Sequence, residues 1–286
     1  MSSSRHGNLQ DLIANSFCAV FRKPAPKNYN NRTRDGRPMI GGPDERMEPL
    51  EWAKFVIRNK AEEDYPAALS VISSRAAQGD SDAEFYLGLV YARGQGVDRD
   101  FRLAKEWMQR SEAQGNMNAA YFLGKIYLRG YGLENPMPSE AAKLFEKAAD
   151  SGDIRAMYEL ALLFMNGNGV ERDLSKTYNL LLDSATGGHL EAQFVLGQLY
   201  KTGAGTDRDP SQAVRWLSAA AMHGHKGAQI LLGDMYAMGD GVDKDADEAN
   251  RWYDMADGHL PRHSIFNKKQ VDRRVSPPVS NFSADR

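Results

Sequence analysis

AQILLGDMYAMGDGVDKDADEANRW (Ala228–Trp252) carries two helical patterns on either side of a glycine pair. Counting from Ala228, small or apolar residues stand at 0, 4, 5 and 8 (Ala228, Leu232, Gly233, Tyr236), one stripe of a helix. Gly239 and Gly241 end that helix, because glycine takes up the left-handed C-terminal cap without a Cβ penalty. Asp245 is the expected N-cap of a second helix, with Glu248 three residues on, and Ala249, Trp252 and Ala256 mark its buried face. The stretch predicts a helix hairpin that buries one face of each member.

Four more copies stand upstream. Glycine pairs recur at Gly94/Gly96, Gly130/Gly132, Gly167/Gly169 and Gly203/Gly205, in steps of 36, 37, 36 and 36 residues to Gly239. Leu87–Gly88, Leu123–Gly124 and Leu196–Gly197 hold the place of Leu232–Gly233, with Leu160–Ala161 the exception. An aromatic follows three residues later: Tyr91, Tyr127, Phe164 and Tyr200. First helices are read from Ala83, Ala119, Ala156, Ala192 and Ala228. Second helices are capped by Asp100, Asp173, Asp209 and Asp245, and Pro210 takes the first helical turn after Asp209. A glycine inside a helix costs about 1 kcal/mol against alanine. The aromatic column of the second helix (Trp107, Trp216, Trp252) is therefore expected to lie over the mid-helix glycines.

This pattern, A-x-x-x-L-G-x-x-Y-x-x-G-x-G-V-x-x-D-x-x-x-A-x-x-W, resembles the Sel-1-like repeat, a relative of the tetratricopeptide repeat. The resemblance implies an all-α fold, an α/α superhelical solenoid of helix-turn-helix repeats. The expected organisation is a basic, disordered tail over 1–46, a degenerate capping helix pair over 47–82, and five repeats over 83–263 (83–118, 119–155, 156–191, 192–227 and 228–263). A second basic, disordered tail follows over 264–286. Copy two departs from the pattern with an extra residue in Glu134–Pro138, and copy three has Ala161 and Thr177 in place of Gly and Ala.

Charge is unevenly spread. The net charge is −2, yet residues 1–46 hold eight Lys/Arg against four acids, and 261–286 hold six against two, which leaves −10 on 47–260. An acidic body repels phosphate, so nucleic acid is not an expected partner. One cysteine, Cys18, excludes an intramolecular disulfide and argues against structural zinc. No apolar run is long enough to span a membrane. Leu9–Phe21 contains Asp11 and Asn15 and is followed by Arg22 and Lys23, the wrong order for a secretory signal, so a cytoplasmic location is expected. Residues 9–21 form an amphipathic pattern, suited to docking on protein or to weak peripheral membrane contact.

The residue patterns that resemble catalytic and ligand signatures have structural readings. The glycine pairs follow a helix instead of leading one, and acids come after them, so they are not a phosphate loop. Residues 240–248 lack the glycine and glutamate positions of an EF-hand. His189, His225 and His259 recur one repeat apart, too far to share a metal, and read as turn residues. No nucleophile, cofactor or metal site is expected.

A binding function remains, as the resemblance implies. In the family the first helices line a concave groove, and columns that vary there become candidates: Glu84, Met157, Gln193 and Gln229 after the starting alanine; Lys125, Leu162, Gln198 and Asp234 after the Leu–Gly pair; Arg93 and Arg129 before the terminal glycine. The variation reads as release from packing. The expected role is a non-catalytic scaffold or adaptor, regulatory in character, that grips a basic or amphipathic peptide or a helix of a partner protein. An immunity protein that sequesters a toxin is an alternative, and a hydrolase is the alternative from another class.

Overall fold

A computed structural model describes residues 48–259; the expected amphipathic segment 9–21, Cys18 and the two basic tails lie outside the described residues. Twelve α-helices and no strand occur among the described residues. The chain divides into two compact units at Pro136/Met137.

The first unit contains α1 (Pro49–Asn59), a 3-10 turn (Glu62–Asp64), α2 (Tyr65–Ala77), α3 (Ser81–Arg93), α4 (Phe101–Ala113) and α5 (Met117–Arg129). Each helix packs on the next in chain order. Trp52, Val56, Ile57, Ile72, Leu89, Met108 and Phe122 supply its core. The second unit contains α6 (Pro138–Asp150), α7 (Ile154–Asn166), α8 (Leu174–Thr186), α9 (Leu190–Thr202), α10 (Pro210–Met222), α11 (Lys226–Met238) and α12 (Ala246–Asp257), again packed in sequence. Nearest-neighbour packing of helix hairpins is the architecture of a repeat solenoid.

The caps follow the sequence closely. Asp100, Asp173, Asp209 and Asp245 each accept a backbone N–H from the first turn of the second helix they open. First helices begin two residues before the alanines, and their N-caps stand three before them: Asp80, Asn116, Asp153, His189 and His225. The histidines are thus caps as well as turn residues: the Ala192 N–H donates to Nδ1 of His189 (3.2 Å) and the Ala228 N–H to Nδ1 of His225 (3.0 Å).

The two glycines of each pair do different work. The first is the left-handed C-cap of its helix. The second meets the first residue of the preceding second helix: Gly96 meets Tyr65, Gly132 meets Phe101, Gly169 meets Pro138, Gly205 meets Leu174 and Gly241 meets Pro210. At Gly241 the backbone has φ +82°, and a Cβ would lie 2.4 Å from the Pro210 carbonyl. This contact sets how closely one hairpin stacks on the one before.

Mid-helix glycines are close-approach points, but the tryptophan column does not cover them. A Cβ on Gly88 would come within 2.7 Å of Met108, one on Gly197 within 2.7 Å of Leu217, and one on Gly233 within 2.5 Å of Tyr253. These covering residues stand one place after the tryptophan column. Trp216 instead joins Leu181, Ala185, Ala192 and Leu196 in a cluster with the preceding second helix. Trp252 joins Leu217, Ala221 and Leu232 in the same manner. Trp216 and Trp252 therefore fasten copies together, while their neighbours Leu217 and Tyr253 close each hairpin.

Candidate functional site

The column after the starting alanine is packed. Glu84 is 1% exposed, Gln193 8% and Gln229 3%, and Met157 is half-buried. The Glu84 carboxylate accepts from Gln114 Nε2 (2.6 Å) and pairs with Arg110 (3.1 Å) at the end of α4. Gln193 Nε2 donates to the Ala185 carbonyl (3.1 Å) and Gln229 Nε2 to the Ala221 carbonyl (3.0 Å). Both carbonyls lie in the last turn of a second helix, where each also accepts a turn N–H, from Gly188 (3.0 Å) and Gly224 (2.9 Å) respectively. The glutamines donate to the end of the preceding second helix while Glu84 accepts from the end of α4, so release from packing does not describe these three positions.

The column after the Leu–Gly pair behaves differently in the second unit. Leu162 on α7, Gln198 on α9 and Asp234 on α11 share one register position; Gln198 is exposed and the other two are half-buried. Tyr253 donates its hydroxyl to Asp234 (2.7 Å), a bond that raises the pKa of the phenol. At the end of the same faces stand Asn166, Thr202 and Met238. Asn166 and Thr202 bond back to carbonyls of their own helices, whereas Met238 is 62% exposed.

In the first unit, half-buried Lys125 and exposed Arg129 stand on α5. Arg93 is half-buried and donates to Gln95, whose amide nitrogen donates in turn to the Ile57 carbonyl and the Tyr65 hydroxyl. Arg93 is therefore part of a structural network joining α3 to the α1–α2 pair.

The chemistry of the titratable groups is structural. Burial draws the Lys54 ammonium down, but hydrogen bonds to Asp82 (2.7 Å) and Glu51 (2.8 Å) outweigh it and hold the group above its ordinary range. Burial pushes the Tyr158 phenol up to about 12, with Glu191 and Glu159 adding to the shift. Burial also raises Tyr200, reinforced by its hydroxyl contact with Tyr178 (2.7 Å). None of these groups stands beside a second one as an acid–base pair aimed at an open face.

The Sel1 repeat family model matches residues 81–116, 118–153, 154–189, 190–225 and 227–256. The chain belongs to the Sel1 repeat family. The matched Sel1 segments open one or two residues ahead of the repeat alanines, near the observed helix starts. A Sel1 repeat protein from Oxalobacter formigenes superposes with a TM-score of 0.66 at 28% identity, over 74% of this chain and 86% of that one. The protective antigen c5321 of uropathogenic Escherichia coli strains, which displays an SLR fold, gives 0.69 at 27% identity, over 73% of this chain and 45% of that one. The immunity protein Pa5087 from Pseudomonas aeruginosa aligns at 18% identity with a TM-score of 0.48, over 74% of this chain and 84% of that one. No curated protein matches the sequence. No helix among the described residues is long and apolar enough to cross a membrane.

Sel1 repeats are a scaffold suited to protein–protein interaction, and proteins of the family are generally non-catalytic. Within this Sel1 repeat chain, Gln198 and Arg129 are the exposed members of the candidate set, and Lys125, Leu162 and Asp234 are half-buried. Sequence variation alone missed that distinction, because it does not separate a column that changes type under packing from one that packing has released.

Proposed function

We propose that this protein is a cytoplasmic, non-catalytic adaptor that holds a segment of a partner protein against the first-helix face of α7, α9 and α11. The observation that carries the reading is Met238, 62% exposed at the edge of a face that also presents Leu162, Gln198 and Asp234. An exposed thioether is a soft, adaptable contact for a partner's apolar side chain. Asp234 adds a carboxylate, so the partner segment it suits is amphipathic, with a basic residue next to its apolar ones. Regulation follows from occupancy of this face and not from chemistry on the partner.

The experiment is a binding titration with a partner identified by affinity capture on the full-length chain. Met238→Glu and Gln198→Arg, each checked for unchanged helicity, are expected to weaken that partner at least tenfold, with Gln109→Arg on α4 as the exposed control. Equal affinity for all variants would place the binding surface elsewhere and overturn the reading.

A further inference from the structure

One register position reports what lies next to each first helix. Two residues after the repeat alanine, Phe85 is 2% exposed, and its ring lies 5.5 Å from that of Phe122 on the following first helix. At the same position Tyr158 stacks on His189 (4.6 Å), and Phe194 stacks on His225 (4.2 Å), the N-caps of the following first helices. Ile230 holds this position on α11 and is 42% exposed. Among the described residues no helix follows α12 to cover it.

The turn after α12 nevertheless has the form of the turns that open a first helix. The His189 N–H bonds to the Ser184 carbonyl (3.0 Å), the His225 N–H to Ala220 (3.1 Å), and the His259 N–H to Asp254 (2.9 Å). In each turn the residue before the histidine is a glycine at positive φ: Gly188, Gly224 and Gly258. In the earlier copies this turn form leads into the first helix whose N-cap covers this register position.

Charge points the same way. Residues 228–259 hold eight acids against Lys244 and Arg251, a net −6 that is more than half of the acidity of 47–260. Residues 260–286 hold six Lys/Arg against Asp272 and Asp285, and the first seven of them include Leu260, Ile265 and Phe266. An open solenoid end exposes an apolar face that needs a polar-backed cover, and opposite charges at short range survive a screening length of about 8 Å.

We propose that the open face of α11, together with the acidic surface of α12, is the docking site of the chain's own residues 260–286. The apolar Leu260, Ile265 and Phe266 answer Ile230, and Lys268 and Lys269 answer Asp254 and Asp257. A partner that carries a basic, apolar segment would compete for this end of the repeat array.

The test is thiol labelling of the full chain in a Cys18→Ser background. Ile230→Cys is expected to react at least tenfold more slowly than Asn250→Cys on the exposed side of α12, and Phe266→Asp or the pair Lys268→Glu/Lys269→Glu should restore most of that rate. Amide exchange supplies a readout that leaves Ile230 intact: Phe266→Asp should speed exchange of α11 severalfold and leave α7 unchanged. Labelling of Ile230→Cys as fast as Asn250→Cys, with α11 exchange untouched by Phe266→Asp, would overturn the proposal. So would protection that ignores Phe266→Asp, whether it is constant or grows with protein concentration; growth would assign the face to a second copy.

Discussion

The imidazole of His189 lies against the ring of Tyr158, centroids 4.6 Å apart and planes 26° from parallel. The same imidazole caps α9 by accepting the Ala192 N–H at Nδ1, which requires the ring to be neutral with its proton on Nε2. Burial lowers its pKa below 6.5; Glu191, Glu159 and Asp153 pull upward without reversing the shift, and Arg155 adds to the lowering. A base whose folded pKa is depressed stabilises the fold fully above its unfolded value of about 6.5 and loses that contribution as pH falls through the folded value. Wild-type melting temperature is therefore expected to fall between pH 7 and pH 5. His189→Asn, which keeps a capping side chain, should fall less over the same range and sit within about 1 kcal/mol of wild type at pH 7. Parallel pH profiles for the two proteins would show that this cap does not titrate as described.

Gly241 makes the copy-to-copy contact with the least room. Alanine there must adopt a left-handed backbone, which costs about 1–2 kcal/mol, and its Cβ would meet the Pro210 carbonyl carbon and oxygen at 2.4 Å. Backbone cannot swing aside as a side chain can. Gly241→Ala is expected to lower stability by about 2–4 kcal/mol in denaturant titration. Gly258→Ala is the matched control, since that glycine also has positive φ but nothing within 4 Å, and it should cost about half as much or less.

Gly197 tests the close approach inside a hairpin. Its neighbour Leu217 is fully buried, with Cγ 2.7 Å from the added Cβ and its backbone nitrogen at 3.3 Å. Gly197→Ala gains about 1 kcal/mol of helix propensity but overpacks a site that cannot yield, so a net loss of about 1–2 kcal/mol is expected. Leu217→Ala alone should cost about 2–5 kcal/mol. Combined, the two should cost less than their sum, because the cavity left by Leu217 accepts the new methyl. Strict additivity in the double-mutant cycle would mean the two side chains do not share that space.

Period, hairpin architecture and second-helix caps were legible because each rests on local chemistry. A glycine at a left-handed cap, or an aspartate accepting an N–H three residues on, needs no knowledge of the neighbouring copy. The tertiary contacts were less legible. Trp216 and Leu217 are adjacent and both apolar, so nothing local says which one covers Gly197 and which one reaches the preceding copy. The histidine caps were hidden for a related reason: imidazole caps a helix only through an unprotonated Nδ1, a state that burial favours at His189, where the Tyr158 ring lies against it.

The same limit divides the candidate site, and three glutamines measure it. Gln193, Gln198 and Gln229 all stand on first helices in columns of mixed residue type. Gln193 and Gln229 are buried and bond a terminal carbonyl of the preceding second helix, while Gln198 is exposed on α9. Removing the buried amide takes one of two hydrogen bonds from a carbonyl that keeps its turn N–H, Gly188 to Ala185 or Gly224 to Ala221, at a cost of about 0.5–1.5 kcal/mol. A surface change away from such features stays within about 0.5 kcal/mol. Gln229→Ala and Gln193→Ala are therefore expected to lower stability by about 0.5–1.5 kcal/mol and to leave partner affinity unchanged once the folded fraction is accounted for. Gln198→Ala should leave the denaturation midpoint within error and weaken partner binding. Thermal melts and a binding titration on the same three variants separate the two roles. A Gln198→Ala protein that loses stability, or a Gln229→Ala protein that keeps it while losing its partner, would reverse the assignment of which column packs and which column binds.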